Sequence, residues 1–125
     1  MAIIAADLGL VSPGEGSAAS RTASPSAYAL YEEGLRAYYK YDAPAAQRLM
    51  SAALERDSLF AMAAFYAWKA GMGVVPLDES ARALQVAKRL APRAIEHDRL
   101  LIQGTVAGLD APIATAQAIA ETLTV

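Results

Sequence analysis

The chain has no cysteine, no asparagine, one histidine, one tryptophan and two phenylalanines in 125 residues. Without cysteine, disulfides, thiolate zinc sites and cysteine nucleophiles are excluded, which fits a reducing compartment and makes cytoplasmic the expected location. The lone His97 leaves any serine nucleophile one possible imidazole partner, and no such pairing is identifiable. It is read as solvated, its neighbours Glu96 and Asp98 not sharing its helical face. An excess of positive charge is also missing: eleven Lys and Arg against thirteen Asp and Glu give a net charge of -2, with the basic residues scattered. That offers no footprint for a phosphate backbone, so nucleic acid is not an expected partner. The apolar stretch Met1 to Leu10 carries Asp7, lacks a basic leader and is too short to span a bilayer, so neither a signal peptide nor membrane insertion is expected. Gly71-Met72-Gly73 has neither a preceding strand nor a following Lys-Ser/Thr, and reads as a helix stop rather than a phosphate cradle.

What is abundant is alanine, about a quarter of the residues. It favours helix and lets helices approach closely, so the fold class is all-α. Residues 1–24 read as a short apolar segment, with a helix near Ile3 to Leu10, followed by a linker rich in Ser, Pro and Gly. Ser24-Pro25 then opens helix one, with apolar residues at Tyr28, Tyr31, Leu35 and Tyr38, to about Lys40. Asp42 caps helix two, to about Arg56, and Ser58 caps helix three, about Leu59 to Ala70, apolar almost all round and therefore the most enclosed. Asp78 starts helix four, Pro92 opens helix five, which ends near Gly108, and Asp110 starts helix six. Capping outweighs an acid-base or metal role for these aspartates, and no cofactor or metal is expected.

Asp42, Asp78 and Asp110 lie 36 and 32 residues apart, and the outer two share the tripeptides Asp42-Ala43-Pro44 and Asp110-Ala111-Pro112, 68 residues or twice 34 apart. A period near 34 is the length of one helix-turn-helix unit, so repeats are expected at about 25–58, 59–91 and 92–125. The first, Leu30-x-x-Glu33-Gly34-x-x-Ala37, then Asp42, Ala46-x-x-x-Met50, Ala53 and Asp57-Ser58, resembles the tetratricopeptide repeat (TPR) family. It departs from the family at Leu30 for Trp, Glu33 for Leu, Ala37 for Tyr and Ser58 for Pro, and the later repeats match less well. The resemblance implies a short right-handed α-solenoid of about three antiparallel helix pairs, in which Gly34, Ala46, Met50 and Ala53 are packing positions. The opening from Ser24 to Gly34 also resembles the entry into helical-repeat regions of bacterial multidomain signalling proteins. The array ends at apolar Val125 without a polar capping unit, so the chain is expected to belong to something longer.

In the TPR family the first helix of each repeat lines a concave groove. Carried over, this places Tyr28, Tyr31, Leu35 and Tyr38 there, bordered by Tyr39, with Met62, Phe65 and Lys69 one repeat on. Such a trough suits an apolar or extended peptide. The competing reading packs these side chains as core between helices or beneath residues 3–11. Tyr31 and Leu35 stand where the family's carboxylate clamp has Lys and Asn, so that clamp is not expected. The expected function is a protein interaction or regulatory module of a larger bacterial protein and not an enzyme. Self-association with a second copy is one alternative, and sensing of a small apolar ligand beside Tyr31 and Phe65 is another.

Overall fold

A computed structural model describes residues 21–123, with side chains through Leu109. The expected short helix at Ile3 to Leu10 and most of the linker lie outside the described residues. Ser24 accepts the Ala27 N–H at 3.1 Å and Pro25 fills the first position, starting α1 (Pro25–Tyr39). Asp42 accepts the Ala45 N–H at 3.2 Å to start α2 (Ala43–Arg56), and then follow α3 (Ala61–Gly71) and α4 (Leu77–Leu90). A 3-10 turn (Ala91–Arg93) leads to α5 (Glu96–Leu123). The described residues form an all-helical structure whose sole β feature is an isolated Met72–Val75 bridge.

Two expected caps are corrected. Ser58 is exposed and α3 begins three residues later without a side-chain cap; the neighbouring Asp57 organises that turn, accepting the Leu59 N–H at 3.0 Å and the Thr22 hydroxyl. Asp78 lies inside the first turn of α4, after Pro76, where it pairs with Arg82 at 3.1 Å on the exposed face. A third correction is larger. No turn forms at Asp110-Ala111-Pro112 and there is no separate sixth helix, because the 28-residue α5 runs straight through it. Pro92, likewise, sits in the 3-10 turn rather than opening a helix. Reversal needs a residue that leaves the right-handed region, as Tyr41 and Gly73 do with φ of 64° and 83°; Gly104 and Gly108 stay on the negative side, and Pro112 removes one N–H without ending the helix.

Tight turns fold α1 to α4 back on one another in sequence, and α3 also touches α1 and α5. Gly34 of α1 sits at a close approach: a Cβ there would lie 2.9 Å from Met50 Cε on α2, and the methionine would have to shift to admit it. Ala46, Met50 and Ala53 are all 0 % exposed, so these four are packing positions. Every residue of α3 but Lys69 is buried, which makes it the centre of the core, with Phe60 just before it and Phe65 within it completely enclosed. The α1, α3 and α5 helices begin at residues 25, 61 and 96, and α2 and α4 at 43 and 77. A spacing of about 35 residues therefore survives even though two of the aspartates that suggested it are not caps.

Candidate functional site

The expected groove divides in two. Tyr31, Met62 and Phe65 are 3 %, 3 % and 0 % exposed, so they are core rather than the lining of an open trough. The α1 stripe faces α3: the Tyr31 ring lies 4.9 Å from Phe60 and 6.3 Å from Tyr66, and burial pushes its phenol pKa up, so it stays neutral. Tyr28, Leu35 and Tyr38 are half-buried against that cluster. Tyr39 is exposed and Lys69 partly so.

The open part gathers where α1 ends. Tyr38 meets Tyr66 edge-on at 5.3 Å and Tyr39 at 5.5 Å. Burial first, then a hydrogen bond with Tyr39, push the Tyr66 phenol up, which ties the outer ring to the core. Lys69 Nζ, in the last turn of α3, stands 5.7 Å from the Tyr38 ring centre and 5.6 Å from that of Phe65, presenting a cation beside the rings. α1 closes with the Tyr41 N–H donating to the Tyr38 carbonyl at 3.0 Å and the Asp42 N–H to that of Ala37 at 2.9 Å. This paired closure puts its left-handed residue where glycine is usual, and here that residue is Tyr41, its ring 95 % exposed. Tyr38, Tyr39, Tyr41 and Ala43 border a cleft of about 260 Å³. Tyr41 escaped the helical-stripe reading because it belongs to no helix; the available signal was a tyrosine in the glycine position just before an Asp-Ala-Pro helix start.

Replacing Tyr41 by glycine removes the Cβ conflict of the left-handed conformation. Tyr41→Gly is expected to stabilise the fold by about 1 kcal/mol, seen as a higher urea midpoint at unchanged slope. A lower midpoint would mean that the ring packs in a way its exposure denies.

More exposed apolar side chains share this pole. Gly71, at the end of α3, packs against Gln47 in the first turns of α2, so the turn carrying exposed Met72, Val74 and Leu77 lies at the same end as Tyr39 and Tyr41. At the opposite pole Arg21 grips Asp98 of α5 with two hydrogen bonds, Nε to Oδ2 at 2.7 Å and Nη2 to Oδ1 at 2.9 Å. The His97 ring, although adjacent in sequence, reaches the same carboxylate, Nδ1 lying 3.0 Å from Oδ1, which corrects the expectation that the two could not meet. Burial pushes the Asp98 pKa up, but hydrogen bonds and charge from Arg21 and His97 outweigh it and hold the carboxyl below its ordinary range.

Among the described residues no group of three or more His, Asp and Glu is placed to hold a metal, and no helix is long and apolar enough to cross a membrane. Compared with known proteins, the chain matches no family model, no curated protein and no solved structure.

Proposed function

We propose that the chain is a helical-repeat interaction module that holds an extended, proline-containing peptide across the Tyr38–Tyr39–Tyr41 pole. The observation that carries this is Tyr41, an aromatic residue with φ of 64° whose ring is almost wholly in solvent beside two further tyrosines. Strain at such a residue has no counterpart in packing and points to contact with something else. Aromatic rings around a shallow cleft accept proline rings of a preformed extended helix at little entropic cost, and Lys69 offers a cation to an acidic residue of the same peptide.

The helix contacts are those expected of a TPR-like arrangement, which belongs to the same proposal. α1 packs on its partner α2 and on α3, as α3 packs on its partner α4 and on α5, a relation that a two-helix repeat of about 35 residues would produce. A cytoplasmic setting within a bacterial signalling protein is part of the same proposal and rests on the resemblance alone.

A display library of random extended peptides, panned on the wild type and on Tyr39→Ala/Tyr41→Gly, tests it. The expected result is a proline-containing consensus from the wild type, with about tenfold or greater loss of affinity in the double variant at unchanged helicity. Peptides that bind both chains equally would reject this pole. A second copy is the rival occupant, favoured by Met72, Val74 and Leu77 beside the tyrosines. A species that stays monomeric in light scattering across a concentration series eliminates it.

A further inference from the structure

The opposite pole, roughly 20 Å away along α1, holds a cavity of about 180 Å³ that the peptide reading does not use. Its wall is apolar at Phe60, Met62 and Ile95 and charged at Arg21, Arg93 and Asp98. Phe60 is fully enclosed and Met62 nearly so, so these walls are fixed by the core. Among the described residues the lining carries two guanidiniums and one carboxylate. Asp98 is already engaged by Arg21 through both oxygens and by His97 at Oδ1. Arg93 forms no hydrogen bond or ion pair with any described residue, so among the described residues nothing answers its charge at the cavity edge.

We infer that this cavity binds a small monocarboxylate with a compact apolar body. A cavity of about 150 Å³ lined by apolar side chains accepts a benzene ring, so the volume here suits a six-carbon ring or short branched chain. The carboxylate then meets the planar fork of Arg93, whose geometry matches both of its oxygens. One negative charge neutralises the lining, whereas a dianion would overshoot and a neutral molecule would leave Arg93 as it is. The Arg21–Asp98 pair supplies the polar end wall and fixes α5 against the segment before α1. The site uses no residue of the tyrosine pole, so either proposal can fail alone.

The test is an amide NMR titration of the whole chain with benzoate, and with benzyl alcohol as its uncharged counterpart. Benzoate is expected to shift residues 59–62 and 93–98 in a saturable way and to bind about tenfold or more tightly than the alcohol. Arg93→Gln is expected to erase that preference without moving the melting temperature, because Arg93 is exposed and forms no described contact pair. Absence of saturable shifts, equal binding of the acid and the alcohol, undiminished benzoate binding by Arg93→Gln, or shifts confined to the tyrosine pole would each overturn the assignment.

Discussion

Truncating Phe65 to alanine is expected to lower the unfolding free energy by about 3–5 kcal/mol, the range for a fully enclosed phenylalanine. The ring is 0 % exposed and lies 5.2 Å from Tyr66 and 5.8 Å from Trp68 on α3, the helix that touches all the others. Because a domain of this size holds only about 5–15 kcal/mol in total, the alanine variant risks partial unfolding at rest. Phe65→Leu gives a graded companion, expected to cost about 1.5 kcal/mol or less, and Tyr39→Ala, which removes an exposed ring together with its hydrogen bond to Tyr66, a second one of about 1 kcal/mol. Urea midpoints rank the three. If Tyr39→Ala destabilised as much as Phe65→Ala, α3 would not be the centre on which the helices depend.

The second large effect concerns the ion pair at the other pole. Asp98→Asn keeps the shape but removes the buried carboxylate charge that the Arg21 guanidinium, 14 % exposed, grips with two hydrogen bonds, and is expected to cost about 3 kcal/mol. Pairing it with a shape-matched apolar change, Arg21→Met/Asp98→Leu, should recover much of that loss, since the burial penalty of both charges then disappears. The sign of the pH response follows from the depressed Asp98 pKa. Its contribution is complete above the ordinary carboxylate value of about 4 and drains away as pH falls through the lower folded value. Wild-type stability measured from neutral to strongly acidic pH should therefore drop more steeply than that of Asp98→Asn below about pH 4. Parallel curves would show that Asp98 does not carry the linkage.

The first two helices were legible because their signals are local. Ser24-Pro25 and Asp42 with Pro44 cap and begin α1 and α2 where the pattern says they should, and the apolar circumference of α3 marks it as enclosed. Asp78 and Asp110 carry the same chemistry without the same outcome. A carboxylate caps a helix only where the chain has already turned, and that depends on an adjacent residue leaving the helical region. At 40–42 Tyr41 does so; at 108–112 no residue does, and helix propensity carries α5 onward. The site divides for a similar reason. A stripe of tyrosines on α1 fixes which residues share a face, but only the placement of α3 decides that Tyr31 is covered while Tyr39 stays in water. The Arg21–Asp98 pair joins positions 77 apart and has no local signature at all.

Two neighbouring residues, Arg21 and Thr22, reach across the fold to Asp98 and to Asp57 respectively. Mechanical load arriving at residue 21 therefore meets these clasps before it reaches the first turn of α1, and passes through Asp98 into the longest helix. The molecule is braced against tension by its polar fastenings, with the oily interior shielded behind them until they part.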